Sequence, residues 1–344
     1  MKTTKTVAFP SSTRSLLAAT PLLLGLACIA PTALAADCGA VTIANMNWAS
    51  AELLAEVDKF ILENGYGCDA SIVLGDTVPT LTSMAEKGKP DVAPESWTSL
   101  RPPVTVANIG EGKLLIAGKA FSEGGVQGIY VPRFIVEQHP DIKTIADAFK
   151  HPELFPDPED PGKGAWSSGQ QGWGGTVIAS QYYKAYEGKK SGFNLVDTGS
   201  AAGHDGSLIH AYERNKGWIG YYWGPTSLLG KYDMVRLPSG VPYDEAEWSR
   251  CNKVEKCADP KPNEWPADEV NTIVTKAFAD RAGPAYGYLS KRSWPNAEVS
   301  KMLAWMADNQ ATGADGAKQF LKKRPEVWTQ WVDGATAEKI RAAL

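Results

Sequence analysis

Val41-Thr42-Ile43-Ala44 is a short apolar run rich in β-branched side chains and reads as a buried strand. Ser50 follows as a helix cap. Leu53, Leu54, Val57, Phe60 and Ile61 then fall on one face of a helix predicted over Ala51–Glu63. Gly65 and Gly67 end that helix, and Ser71-Ile72-Val73-Leu74 is a second strand. Thr77 caps a second helix from about Val78 to Lys87, and Asp91-Val92-Ala93 is a third short strand. Strand, helix, strand, helix, strand implies an α/β fold with a parallel sheet and right-handed crossovers.

Downstream, Leu114–Ala117 and Gly128–Val131 are further strands, and residues 151–175, rich in Pro, Gly and Asp, read as a long loop. The alternation resumes with a helix over Thr176–Tyr186, a strand at Asn194–Val196, a helix over Asp205–Asn215 and a strand at Trp218–Trp223. Residues 238–266 are irregular. The tail reads as helical over Asp268–Ala279, Glu298–Asn309, Gly316–Lys322 and Glu326–Trp331. Two α/β units with a helical return are expected, and sheets of this kind bind ligands at the carboxyl ends of their strands.

The 344 residues are 43% hydrophobic and 22% charged, which excludes a disordered chain or a fibrous repeat. Lys2, Lys5 and Arg14, the apolar run Leu16–Ala30 and the small-x-small site Ala33-Leu34-Ala35 read as a secretory signal peptide over residues 1–35. The alternative is a lipoprotein cut before Cys28, where Gly25 stands in the place of the expected Leu. With net charge −4 overall and three bases but no acid in the leader, the remainder carries −7, which excludes a nucleic-acid binder. A soluble, exported monomer is expected in the periplasm. Cys38, Cys68, Cys251 and Cys257 remain there, and their spacing does not match a zinc site. Three pairings exist. Cys38–Cys68 and Cys251–Cys257 are favoured, because two parallel strands would bring the first pair to one sheet edge. Asp157, Glu159 and Asp160 lack a calcium-loop pattern and read as a solvated acidic loop, so no metal or cofactor is expected.

Twelve tryptophans stand out. Trp48, Trp97 and Trp223 fall at predicted strand ends, and Tyr130 lies on the crossing between the two units. Rings in such loops line a cleft, and the guest that most needs them is a methylated onium group, which donates no hydrogen bonds and is held by π faces. The competing reading is ordinary packing. Glu95, two residues from Trp97 and on the same side of a strand, could stand beside that cation or form a plain salt bridge. Asp76 and Thr77 enter a helix whose N–H groups could take a carboxylate or an N-oxide, or merely cap it.

Four segments carry a resemblance: Val41-Thr42-Ile43-Ala44-Asn45-Met46-Asn47-Trp48, Gly75-Asp76-Thr77-Val78-Pro79-Thr80, Lys89-Pro90-Asp91-Val92-Ala93-Pro94-Glu95-Ser96-Trp97 and Gly217-Trp218-Ile219-Gly220-Tyr221-Tyr222-Trp223-Gly224-Pro225. In order, they resemble the substrate-binding proteins of glycine betaine/choline-type ABC importers. The resemblance implies a bilobal periplasmic-binding-protein fold of type II, with two parallel-sheet lobes joined by a hinge. We place residues 36–128 plus 233–344 in one lobe and 129–232 in the other. It implies that Trp48 and Trp97 come from one lobe and Tyr130 and Trp223 from the other, completing an aromatic cage on closure. It adds Trp173, between Gly172 and Gly174, as a further wall, with Trp166 a weaker candidate. The partners implied are a small methylated ammonium or sulfonium ligand and the permease and ATPase subunits of an importer.

Two positions depart from the pattern. Thr226 and Ser227 stand where many relatives carry a His, and Ser50 stands where choline binders place an Asp. The tail of the ligand is therefore open among glycine betaine, trimethylamine N-oxide, dimethylsulfoniopropionate, choline and carnitine. The rival class is a periplasmic enzyme acting on a small polar substrate around His204. No nucleophile elbow, zincin motif or phosphate loop accompanies that His.

Overall fold

The computed structural model describes Ala8 and residues 38–344. The expected signal peptide and Cys28 lie outside the described residues. Ten strands follow in order: β1 (Ala40–Asn45), β2 (Asp69–Leu74), β3 (Val92–Trp97), β4 (Leu114–Lys119), β5 (Val126–Pro132), β6 (Gly164–Gly169), β7 (Phe193–Asp197), β8 (Gly220–Gly224), β9 (Met234–Leu237) and β10 (Val270–Thr275). They form two five-stranded sheets, ordered β2-β1-β3-β10-β4 and β7-β6-β8-β5-β9. Helices flank both, giving two α/β lobes.

The sheets are mixed rather than parallel throughout. β1 runs parallel to β2 from Ala40↔Asp69 to Asn45↔Leu74, and β6 runs parallel to β7 and β8. β10 is antiparallel to both β3 and β4, and β5 is antiparallel to both β8 and β9. The cause is topological. Each sheet takes in a strand next to the crossing between lobes, and that strand runs against its neighbours. β9 pairs with β5, so the second sheet extends past residue 232 to Leu237, and it begins at Val126, before residue 129.

Three local readings are corrected. Residues 151–175 are not one loop, because they contain β6, whose small and polar residues are buried by their neighbours. The helix expected over Asp268–Ala279 is β10 followed by the helix Lys276–Ala282, and all six residues of β10 are buried. The third strand runs on to Trp97, so Trp97 closes the strand instead of following it.

The first helix, Ala49–Tyr66, starts two residues before the expected Ala51, with Trp48 rather than Ser50 as its extended N-cap, and stops at Gly67 in the left-handed region (φ 73°). The second, Thr77–Lys87, has Asp76 as N-cap, although that carboxylate makes no capping bond. Leu53, Leu54, Val57 and Ile61 are fully buried between the first helix and the sheet. The helices Gly313–Lys323 and Gly334–Ala343 lie against the same helix. Both expected disulfides are present, Cys38–Cys68 and Cys251–Cys257. Among the described residues, no helix is long and apolar enough to cross a membrane.

Candidate functional site

Trp48 leaves β1 through Asn47, whose backbone sits at φ 60° and turns the chain into the helix. Trp97 ends β3 on the neighbouring strand. One carboxylate joins them: Glu95 Oε1 accepts from Trp48 Nε1 (2.8 Å), Trp97 Nε1 (2.9 Å) and Ser50 Oγ (3.1 Å). Ser50 therefore serves Glu95 rather than capping the helix. Glu95 is fully buried, and burial pushes its pKa up to about 7 against the lowering effect of its donors and of Arg292.

The second lobe supplies the facing rings. Trp173 is the N-cap of the helix Gly174–Ala185 and stands edge-on to Trp48 (6.3 Å, 90°) and to Trp223 (5.1 Å, 85°). Trp223 on β8 stacks with Tyr221 (5.6 Å, 21°). Two glycines admit these rings. A Cβ on Gly125 would lie 2.0 Å from the Trp97 ring, and one on Gly175 would lie 2.1 Å from that of Tyr221. Trp48, Trp97, Trp173, Tyr221 and Trp223, with Thr77 and Leu100, line one narrow space between the lobes. As the rings stand, the space left between them is about 10 Å³, room for about one water molecule, so a guest is admitted only when the rings part. No Lys or Arg lines it.

The lobes touch beside this space. Gln170, just after β6, donates to Asp76 Oδ1 (2.6 Å) and accepts from Asn47 Nδ2 (3.4 Å). Val78 N–H donates to Gly172 O (3.0 Å). The Asp76 carboxyl is therefore occupied by a contact between lobes, and burial raises its pKa despite donors on Gln170, Asn47 and Trp173. Near the crossing, Tyr221 donates to Gln127 Oε1 (2.6 Å), and Gln127 donates to Asp268 (2.6 Å), which also accepts from Ser99 N–H (2.7 Å).

Five expected residues thus line the space: Trp48, Thr77, Trp97, Trp173 and Trp223. Glu95 stands behind two of them and Asp76 at the lobe contact. Tyr130 does not line it. Its partner on β8 is Gly220, three residues from Trp223. Trp166 is fully buried, stacks on Phe149 (4.7 Å) and donates to Ala179 O, so it belongs to the core. Trp328 and Trp331 are buried packing residues, although the helix expected over Glu326–Trp331 ends at Trp328. His204 is fully buried and lies parallel to Trp223 (6.5 Å, 8°), with Nε2 2.7 Å from Tyr221 O. Burial drives its pKa down to about 4, so it is a neutral ring behind the cage. Tyr221 and Leu100 were missed. Tyr221 carries a usable signal, because residues two apart on a strand share a face and Tyr221 precedes Trp223 by two.

Wider grooves, such as the one under the helix Ala201–Glu213 lined by Phe155, Trp218 and Arg214, lack such converging rings. Among the described residues, only Cys251, Cys257 and Asp259 cluster closely enough to hold a metal, and those two cysteines form a disulfide.

Residues 39–323 match the substrate-binding domain of ABC-type glycine betaine transport systems. The chain belongs to that family. Its members among solved structures share the fold at low identity. A glycine betaine/L-proline-binding protein of an ABC transporter from Borrelia burgdorferi is 18% identical, with TM-score 0.64 over 88% of this chain and 99% of its own. A choline-binding protein of an ABC transporter in complex with choline is 15% identical, with TM-score 0.68 over 89% and 98%. Lactococcal OpuAC in its closed-liganded conformation with glycine betaine is 20% identical, with TM-score 0.64 over 86% and 100%. These likenesses establish the two-lobed type II binding-protein fold. No curated protein sequence matches the chain.

Proposed function

We propose that this substrate-binding domain captures a small methylated onium osmolyte between its lobes and delivers it to the permease and ATPase subunits of an ABC importer. The observation that carries the reading is the convergence of four tryptophans and Tyr221, drawn from both lobes, on one narrow space free of cationic side chains. Each ring over a desolvated onium contributes on the order of 0.5–2 kcal/mol, so several together suffice for micromolar affinity, about 8 kcal/mol. Glycine betaine is the first candidate. Thr77 lines the space at the start of an eleven-residue helix, where a carboxylate is favoured. Choline is the second, because it offers the rings the same trimethylammonium head. The domain binds without catalysis, since His204, on which an enzyme reading depends, is sealed and neutral. Two disulfides suit an exported, periplasmic domain.

Calorimetric titration of residues 36–344 with glycine betaine, choline, carnitine, trimethylamine N-oxide and dimethylsulfoniopropionate tests this, with proline and a sugar as controls. Micromolar or tighter binding to one onium compound is expected. Silence across the panel from folded, ligand-free protein would show that the rings are packing. Recovery of a chemically altered ligand would favour the enzyme.

A further inference from the structure

Glu95 is placed to do more than hold two side chains. Three donors converge on its Oε1, while its buried Oε2 has no hydrogen-bond partner. The nearby cation is engaged elsewhere through Nε and Nη2, while its buried Nη1 has no hydrogen-bond partner. Arg292, fully buried, forms an ion pair with Asp58 (2.9 Å) and donates through Nη2 to Pro94 O (3.1 Å) and Thr272 Oγ1 (2.6 Å). Asp58, itself fully buried, takes the hydroxyl of Tyr288 as well (2.6 Å). Within this group Asp58 and Arg292 cancel, and an ionised Glu95 is a surplus negative charge sealed from water. A buried charge without a partner is costly, so it attracts either a proton or a cation. Two of the rings that line the cage are bonded to it.

We propose that Glu95 charges the cage from behind. By accepting both indole N–H groups through one oxygen, its carboxylate enriches the π faces of Trp48 and Trp97 and selects a cationic head over a neutral head of the same shape. This rests on the cage being the ligand site. A charge-assisted N–H···O bond is roughly twice as strong as a neutral one and polarises the group that donates it. Electron density drawn toward the ring face strengthens attraction for a cation and does nothing for a neutral guest. In the empty protein a proton occupies the carboxyl for part of the time. Onium entry displaces it into solvent, so the net charge of the buried group is conserved.

The test compares Glu95→Gln with the parent chain. Glutamine keeps a carbonyl oxygen for the indole N–H groups and removes the charge. The probes are choline and glycine betaine, and for each its tert-butyl analogue, in which carbon replaces the onium nitrogen. At about pH 8, Glu95→Gln should lower onium affinity about tenfold or more while changing the analogue less than about threefold. Equal losses for onium and analogue would reduce Glu95 to a structural prop and overturn the inference. Unchanged onium affinity would overturn it too. Absence of onium binding by the parent chain would instead sink the cage reading itself. A second measurement needs no variant. Titration of the parent chain near pH 7 in two buffers of different ionisation heat should show proton release with the onium ligands and none with the analogues. No release with either would overturn the inference.

Discussion

Each cage ring tests its own contribution. Trp173→Ala and Trp223→Ala should each weaken onium binding about tenfold or more, because each removes a π face of roughly 0.5–2 kcal/mol and opens the enclosure to water. Circular dichroism would confirm that the fold survives, and near-parental affinity in both variants would remove these rings from the site. Glu95 adds a pH dependence whose sign is set by burial. Its pKa rises from an ordinary 4.5 to about 7 in the folded chain, and the titratable or charged groups facing it are Arg292 and Tyr221. Between those values the folded chain keeps a proton that the unfolded chain has lost, so this contribution to stability falls as pH rises through the window. Its full size is on the order of 3 kcal/mol. His204 acts oppositely, its contribution being lost as pH falls from 6.5 through about 4, so the parent profile is a compromise. Subtraction isolates Glu95: urea unfolding should show Glu95→Gln gaining stability relative to the parent between pH 5 and pH 8. A pH-independent difference would mean that the carboxyl is not sealed. Trp48, Trp97 and Trp223 could be singled out because they fall at the carboxyl ends of expected strands, whereas Trp173 came with the family resemblance. Tyr221 was hidden inside the run Tyr221-Tyr222-Trp223, where consecutive aromatics blur which residues share a face.

The secondary-structure elements divide by how honestly their periodicity speaks. β1 to β3 and the two helices between them were readable because strand-like and helix-like spacing alternated cleanly. β10 was not. Val270, Ile273, Val274 and Phe278 fall at i, i+3, i+4 and i+8, which imitates a helix face, and only the density of β-branched side chains argued for a strand. β6, with two glycines and two serines, owes its state to the strands on either side. Tyr130 was misplaced for a related reason: β5 could be found, but its register against β8 could not. The disulfides make element-level predictions from loop length. Replacing Cys38 and Cys68 by Ser opens a 30-residue separation and should cost roughly 3–4 kcal/mol, against roughly 2 kcal/mol for the six-residue loop of Cys251 and Cys257. Denaturant midpoints would show the order, and a reversed order would mean that strain or residual structure dominates. The contact after β6 is equally testable. Gln170→Ala removes bonds to Asp76 and Asn47 across the lobes, so onium affinity should fall several-fold with the cage residues intact. Small-angle scattering should show a more expanded unliganded form, and an unchanged profile would make Gln170 incidental to closure.

At the scale of the whole molecule, ligand and stability are linked. Onium ligand at about a hundred times its Kd should add about 2.7 kcal/mol to the folded state and raise the melting midpoint by a few degrees, independently of protein concentration if the protein is a monomer. A midpoint that climbs with protein concentration would point to association instead. The enclosure itself sets a limit on time. On the proposed function, rings from both lobes surround the guest, and Gln170 and Val78 join the lobes at its side. A bound molecule therefore has no exit while the lobes stay shut. Its departure can be no faster than their parting, whichever onium compound is inside, so poor and good ligands should approach one shared ceiling in dissociation rate. Preference among them would then appear in how long the closed form lasts, and the transporter, by prising the lobes apart, would control the clock.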